Sequence, residues 1–116
     1  MSKDELEPRL AKIMSDIAEV EGIIALDADG KTITGKTISE DMGIDKISKT
    51  ASTLLENVNS FGAAIEKGKA TEVTVALNDG FAVVVAGSDF SVVAFVDSDS
   101  KSQLALLART IKNLIS

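Results

Sequence analysis

The chain of 116 residues is the size of one compact domain, and we expect residues 1–116 to form a single domain. Hydrophobic residues make up 45% of the chain and charged residues 26%, which is ordinary globular usage and argues against disorder. The formal net charge is −6 and the only arginines are Arg9 and Arg109, so no basic stripe is available to bind nucleic acid or an anionic membrane.

The first predicted element is an amphipathic helix. Its apolar residues recur at steps of three and four, as they do on one face of a helix. Because proline fits only the first turn of a helix, we expect the regular part to begin near Pro8. We expect Gly22 to end it. The apolar face consists of Leu6, Leu10, Ile13, Ile17 and Val20.

Two strands are predicted next. Residues 23–27 form a short, mainly apolar stretch, as in a buried strand. Residues 27–30 have the sequence of a hairpin turn. Residues 31–34 return as a polar, alternating strand, which suits the edge of a sheet. We therefore expect a hairpin whose second strand is an edge strand.

The second helix is predicted over about residues 45–67. Asp45 is the predicted N-cap, and Gly68 is the predicted residue just beyond the C-terminal end. One apolar stripe runs along the helix and is predicted to face the core. It consists of Ile44, Ile47, Ala51, Leu54, Leu55, Val58, Phe61 and Ile65.

Three strands follow at residues 73–77, 81–86 and 90–96, and a last helix begins after Asp97 with Ser100 and Gln103 as a capping box. The short connections force antiparallel pairing, because a parallel crossover needs about a dozen residues or more. The last two strands are apolar on both faces, so helices should cover both faces of the sheet. The predicted fold is α+β, a five-stranded antiparallel sheet between helical layers in the order α-β-β-α-β-β-β-α, with the second and third strands at its edges.

Residues 30–37 match the phosphate-binding pattern G-x-x-x-x-G-K-T literally. The local sequence opposes a phosphate-binding loop, because residues 31–34 alternate like a strand and Gly43 would interrupt the helix that must follow. The hairpins later in the chain also exclude most of the parallel crossovers that such a fold needs. We interpret the stretch as a hairpin strand, and nucleotide binding through Lys36 and Thr37 stays an alternative.

Catalytic and metal-binding residues are not evident. The chain has neither cysteine nor histidine, which excludes disulfides, thiolate and imidazole ligands, and nucleophiles activated by histidine. Asp27, Asp29, Asp97 and Asp99 lie in two short turns, neither of which continues as a calcium-binding loop, so we interpret them as turn and cap residues. We expect no cofactor and no enzymatic activity.

A second line of residues on the second helix predicts self-association. These residues are small or uncharged, whereas a solvated face normally carries many charges. The strand edge at residues 71–77 has no Pro and no Lys, so it would pair readily with another strand. Ordinary surface beside the core stripe is the alternative interpretation. The predicted dimer interface consists of Ser48, Ser52, Leu55, Asn59, Ala63, Val73, Thr74 and Val75.

Three stretches resemble the roadblock/dynein light chain family, over nearly the whole chain. Residues 20–30 resemble the family's opening, where the first helix gives way to a strand and a D-x-D-G-like turn. Residues 47–61 resemble its second helix, which is rich in small residues and leucine, and residues 73–96 resemble its three-strand meander. The resemblance implies a roadblock/longin-like fold, and the lack of extensions is similar to the prokaryotic members.

The resemblance also implies a function. It implies homodimers, or heterodimers with a paralogue, that act as scaffolds or regulators of small Ras-like GTPases or as dynein light chains. The family offers no residue-level motif, so we place the GTPase contact on the helix side away from the core stripe. A small-ligand sensor is an alternative. With neither signal peptide nor membrane anchor in evidence, we expect a cytoplasmic protein. The predicted GTPase contacts are Lys49, Thr53, Glu56, Asn57 and Ser60.

Overall fold

The computed structural model describes residues 1–115, and within them the helices and strands follow the predicted order. A 3₁₀ turn, Ser98–Gln103, precedes the last helix. The other elements are α1 Lys3–Asp16, β1 Val20–Asp27, β2 Thr32–Thr37, α2 Ile44–Ala64, β3 Glu72–Leu77, β4 Gly80–Ala86, β5 Phe90–Asp97 and α3 Leu104–Ile115.

The five strands form one antiparallel sheet in the order β2-β1-β5-β4-β3. Ile23 of β1 lies opposite Ala94 of β5, and Val83 of β4 lies opposite the same Ala94 from the other side. The strands that are apolar on both faces therefore occupy the centre of the sheet. The polar β2 and the alternating β3 are its edges, as predicted.

One face of the sheet is closed by α1 and α3. Their apolar sides and the side chains of the sheet form the larger core, which is aliphatic apart from phenylalanine because the chain has neither Trp nor Tyr. Leu6 of α1 and Ile111 of α3 are completely buried in this core. Burial of each such side chain contributes about 1.5–3 kcal/mol. The packing of α1 and α3 on this face stabilises the sheet, whereas the opposite face is more open.

The opposite face is covered by α2 alone. Ala51 packs against Ile24 of β1 and Val84 of β4, and together they form a second, smaller core. A helix is about 10 Å wide, whereas five strands spaced about 4.8 Å apart span roughly 20 Å, so one helix cannot cover this face. Since Ser48 ties α2 to Thr32 of β2, the part of this face left open lies toward β3.

The first helix differs from its prediction at both ends. It begins at Lys3 rather than near Pro8, because the Ser2 hydroxyl oxygen accepts a hydrogen bond from the Glu5 backbone N–H and caps it. Pro8 lies inside the helix, where it cannot donate the usual backbone hydrogen bond. The prediction that Gly22 ends this helix is also wrong, since Gly22 lies in β1.

The ends of the other two helices differ in smaller ways. Asp97 rather than Ser100 caps the last helical segment, because Asp97 Oδ1 accepts hydrogen bonds from the Asp99 N–H and the Ser100 hydroxyl, both at 3.0 Å. The predicted capping box is therefore not what starts α3. Gly43 is the N-cap of α2, and Asp45 lies in its first turn.

Candidate protein-interaction surface

An open groove of about 620 Å³ lies between α2 and the half of the sheet formed by β3 and β4. The N-terminal half of α2 forms one wall, and the sheet forms the floor. The Phe95 ring lies directly on Gly22, in space that any larger residue there would occupy, and this adds apolar surface to the floor. The main apolar lining residues are Ile47, Leu54, Val75, Leu77, Val84 and Phe95.

Strand β3 borders this groove and carries a free edge. Leu77 and Gly80 flank a two-residue turn and form the hydrogen-bonded pair that closes it, so Val73 and Val75 also direct their backbone N–H groups toward β4. The N–H groups of alternate residues, including Thr74, therefore point away from the sheet. The groove thus adjoins a row of backbone groups that have no strand partner within residues 1–115.

The other edge strand, β2, is less open to pairing. It carries Lys36, an exposed charged residue. The register of its pairing with β1 shifts between Ala25 and Leu26, which is the mark of a β-bulge. Lysine and bulges are two devices by which proteins protect sheet edges from other chains. The edge that remains suited to pairing with another strand is therefore β3.

Two of the residues predicted to form the dimer interface hold α2 onto its own sheet. Ser48 is completely buried, and its hydroxyl oxygen lies 2.6 Å from the hydroxyl oxygen of Thr32. The Ser52 side chain lies against Gly30, 2.8 Å from where a side chain on that glycine would begin. Ser48 therefore has no surface to offer a partner, and Ser52 offers little.

Asn59, the third polar residue of that line, is bound to the segment that leads into β3. Its side-chain oxygen accepts a hydrogen bond from the Ala70 backbone N–H at 2.7 Å. One turn later, Gly62 lies against the carbonyl of Gly68 so closely that a larger residue would not fit. The small residues of α2 thus allow close approach to the protein's own backbone.

The other predicted interface residues lie at the surface or at the groove. Leu55 is half-buried and packs in the smaller core, whereas Ala63 is exposed. On β3, Val73 and Val75 are half-buried on the α2 side of the sheet. Thr74 is exposed, with its side chain on the opposite face. The three β3 residues remain available for a strand–strand contact.

The prediction that Phe61 and Ile65 face the core is wrong. Phe61 is 63% exposed and Ile65 is 47% exposed. The 21 residues of α2 span about 31 Å, whereas a strand of six to eight residues spans roughly 20–26 Å. Little sheet therefore lies beneath the C-terminal end of the helix. The length of the apolar stripe relative to the strands is the signal that could have identified these exposed residues.

The residues predicted to contact a GTPase are all exposed on the outer side of α2. The Thr53 hydroxyl donates to the Lys49 carbonyl at 3.1 Å, and the Ser60 hydroxyl donates to the Glu56 carbonyl at 3.2 Å. These bonds stay within the helix, so the outer side is not needed to hold α2 on the sheet. Lys49, Thr53, Glu56, Asn57 and Ser60 are therefore accessible to a partner.

The stretch that matches the phosphate-binding pattern is a strand. Gly35 and Lys36 lie in β2, opposite Ile24 and Ile23 of β1. A phosphate-binding loop instead presents a concave run of free backbone N–H groups at the start of a helix. This geometry supports the interpretation of residues 30–37 as part of a hairpin.

The acidic turns also have a local structural explanation. Asp27 Oδ1 accepts hydrogen bonds from the backbone N–H groups of Asp29 at 2.9 Å and Lys31 at 3.0 Å, which stabilises the turn between β1 and β2. Within the part of the chain that the structure describes, no cluster of acidic side chains is arranged to hold a metal ion. No helix among residues 1–115 is both long and apolar enough to cross a membrane.

Solved structures with the same architecture include a roadblock/LC7 domain and two MglB structures. A roadblock/LC7 domain from Streptomyces avermitilis is 18% identical, with 92% of this chain and 88% of that chain aligned and a TM-score of 0.80. MglB of Myxococcus xanthus is 11% identical, with 94% and 87% aligned and a TM-score of 0.82. An MglB with a tetrameric arrangement is 12% identical, with 91% and 90% aligned and a TM-score of 0.74. The chain therefore has the roadblock/longin-like fold that its sequence implied.

The same fold also occurs outside this group. A profilin of Schizosaccharomyces pombe is 8% identical, with 91% of this chain and 90% of that chain aligned and a TM-score of 0.64. No protein-family model matches the chain, and no curated protein matches its sequence. The fold by itself does not define an activity, so the function has to be inferred from the surface of this chain.

Proposed function

We propose that the protein is a non-catalytic scaffold that associates with itself through α2 and β3 and binds a small Ras-like GTPase on the outer side of α2. The observation that carries the proposal is the position of the apolar groove beside the free edge of β3. Leu77 lies both in the groove and on the free edge, and its side chain is 61% exposed. Contiguous exposed patches of large apolar side chains mark contact surfaces, so Leu77 supports a contact here.

A second copy of the chain would satisfy both features at once. If two β3 strands pair antiparallel around a twofold axis, the outward N–H groups of Thr74 and of the alternate residues of β3 gain partners and the two sheets become continuous. The same rotation brings the two α2 helices side by side over the joined sheet, where they cover the open part of each face. The MglB structure with a tetrameric arrangement supports self-association of this fold.

The GTPase is inferred from the family resemblance together with the outer side of α2. This side is polar and accessible, and it carries both signs of charge in Lys49 and Glu56. In the proposed dimer the two outer sides lie next to each other across the axis, so one GTPase straddling the axis would contact both copies. The net charge of −6 per chain favours a GTPase surface that is basic, through steering and complementarity at the rim of the contact.

In this proposal the chain itself catalyses no reaction. The sequence contains neither histidine nor cysteine, so cysteine nucleophiles and nucleophiles activated by histidine are missing. The buried hydroxyl group of Ser48 contacts Thr32 and the Ile44 carbonyl, which gives it a structural environment. We therefore expect any effect on nucleotide hydrolysis to come from residues of the GTPase that the scaffold orients.

Sedimentation equilibrium followed by calorimetric titration tests the proposal. The wild-type chain should sediment at twice its mass of 12.1 kDa at micromolar concentration. Titration of this dimer with a purified small Ras-like GTPase from the same organism, loaded with GDP or with a non-hydrolysable GTP analogue, should saturate at one GTPase per two chains. A chain that stays monomeric contradicts the self-association, and the absence of binding in both nucleotide states contradicts the partner.

The groove also favours one alternative, a sensor of a small apolar ligand. Its volume of about 620 Å³ lies in the range of ligand pockets, roughly 300–1,000 Å³. A fluorescent apolar probe such as anilinonaphthalene sulfonate distinguishes the two. If a second copy covers the groove, the probe should bind a monomeric variant and not the dimer. Binding of the probe in the groove of the intact dimer would favour the sensor.

A further inference from the structure

We infer that Phe61 and Ile65 of each copy fill the groove of the other copy. The inference rests on the proposed self-association and identifies what the groove holds. It follows from the direction of α2, from twofold symmetry and from the charges at the two ends of the helix.

The groove and the C-terminal end of α2 lie at opposite ends of the sheet. Leu54 lines the groove together with Glu21 at the start of β1 and Leu77 at the end of β3. The C-terminal half of α2 instead reaches the start of β3, where Asn59 binds the backbone of Ala70. The helix therefore runs antiparallel to β3, and its C-terminal end approaches the free edge.

Twofold symmetry brings these two ends together across the dimer. When two β3 strands pair antiparallel, the start of the partner's β3 lies beside the end of the first β3, near Leu77. The C-terminal end of the partner's α2 lies close to the start of its own β3. The partner's Phe61 and Ile65 therefore arrive at the open side of the groove, and the axis repeats the contact in the other direction.

Phe61 also lies on the appropriate side of α2. Ile47, Leu54 and Phe61 are spaced by seven residues, which places them at nearly the same angle around the helix. The first two line the groove of their own copy, so Phe61 continues the same line beyond the groove, on the side nearer to β3. Within one copy, the apolar side chains of Phe61 and Ile65 are largely exposed and the apolar groove is unfilled.

The charges at the two ends are complementary. The mouth of the groove carries the carboxylates of Glu21 and Asp79. The segment after α2 carries Glu66, Lys67 and Lys69, a net positive set of exposed residues. The dimer brings this basic segment toward the acidic mouth of the groove, which favours a second copy of the chain as the occupant over an unrelated apolar helix.

Cross-linking through introduced cysteines tests the inference in the full chain, which has no cysteine of its own. Equal amounts of Phe61→Cys and Leu77→Cys chains are mixed at a concentration where the wild type is dimeric, and a short bifunctional maleimide is added. The two chains should join to each other, whereas Phe61→Cys alone should join poorly because the two C-terminal ends of α2 lie far apart. Ile38→Cys replaces Leu77→Cys in the matched control, since Ile38 is similarly exposed, at 66%, beside β2.

Removal of the side chain gives a second readout. Phe61→Ala should raise the dimer dissociation constant by at least about tenfold, because each dimer loses two buried aromatic anchors. Leu106→Ala, which truncates an exposed residue of α3, should leave it unchanged. Phe61 is exposed within its own copy, so thermal unfolding of the monomer should hardly change.

The outcomes separate this inference from the proposed function. Preferential cross-linking of positions 61 and 77, together with weaker association of Phe61→Ala, supports the inference. A wild-type dimer that tolerates Phe61→Ala, or that cross-links equally well to position 38, overturns it and leaves self-association standing with another occupant in the groove. A wild-type chain that remains monomeric overturns the proposed function and the inference with it.

Discussion

The side-chain oxygen of Asn59 accepts a hydrogen bond from the backbone N–H of Ala70 at 2.7 Å, and this bond joins the C-terminal half of α2 to the segment that enters β3. Gly62 packs on Gly68 beside it. The two contacts fix the position of α2 relative to β3, which are the two elements proposed to meet a second copy. Asn59 therefore positions the proposed interface from inside the protomer.

Loss of this hydrogen bond should destabilise the protomer measurably. Asn59→Leu leaves the half-buried Ala70 N–H without its acceptor, and we expect the free energy of unfolding to fall by about 1–2 kcal/mol. Asn59→Asp keeps an acceptor oxygen at the same position and should cost clearly less. Urea unfolding of both variants checks the difference, and equal losses would show that the hydrogen bond is not the cause.

The buried hydroxyl pair of Ser48 and Thr32 should likewise act on folding rather than on assembly. Ser48→Ala leaves the Thr32 hydroxyl without this partner, so the free energy of unfolding should fall by about 1 kcal/mol while the dimer dissociation constant stays the same. Thr110→Ala on α3 is the control, because that hydroxyl donates only to the Leu106 carbonyl within its own helix. A Ser48→Ala protein with unchanged stability and weaker association would instead place Ser48 in the interface.

Hydrophobic periodicity was sufficient to predict the sheet. The strands β4 and β5 are apolar on both faces, and such strands must lie in the middle of a sheet covered by helices on both sides. The helix ends were harder to predict, because each depends on one local hydrogen bond. Ser2 caps α1, which therefore starts before Pro8. Asp97 caps the last helical segment, for which Ser100 was the predicted cap.

The candidate site was harder still, because hydropathy shows that a residue prefers burial but not which chain buries it. Phe61 has the pattern of a core residue, yet it lies where the helix outruns the sheet. Ser48 has the pattern of a surface residue, yet it is buried. Its hydroxyl forms a hydrogen bond with the hydroxyl of Thr32, sixteen residues away in sequence. Only the tertiary structure places such pairs together.

A proline at the free edge of β3 should prevent pairing with a second copy. Thr74 directs its N–H away from β4, so Thr74→Pro removes a donor that the protomer's own sheet does not use. We expect this variant to fold and to sediment as a monomer. Thr74→Val keeps the N–H group and suits a strand, so it should remain dimeric. A dimeric Thr74→Pro protein would show that another surface joins the copies.

Nucleotide should not bind to residues 30–37. Gly35 and Lys36 are paired with β1, and rearranging this strand into a concave phosphate-binding loop would break the edge of the sheet. Titration with GTP or ATP and magnesium should therefore give no heat in the wild type or in Lys36→Ala, and thermal stability should be the same in both. Heat that disappears in Lys36→Ala would establish a nucleotide site and overturn the assignment of this stretch as a structural hairpin.

Charge reversal on the outer side of α2 should slow association with the GTPase. Glu56→Lys opposes a basic partner surface at the contact, so the association rate should fall several-fold, and the difference should shrink as salt rises. Glu7→Lys is the matched control, because Glu7 is exposed on α1 across the sheet and both variants change the net charge from −6 to −4, a difference of two charges.

Lys112 on α3 is a poor control for this comparison, since it forms an ion pair with Glu72 on β3 and a change there would also disturb the proposed dimer. Stopped-flow measurements at two salt concentrations compare the Glu56 and Glu7 variants. Equal slowing of both would mean that overall charge steers the encounter and that the GTPase does not contact the outer side of α2. A slower rate for Glu56→Lys alone, with an unchanged dimer dissociation constant, would locate the contact on that side of the helix.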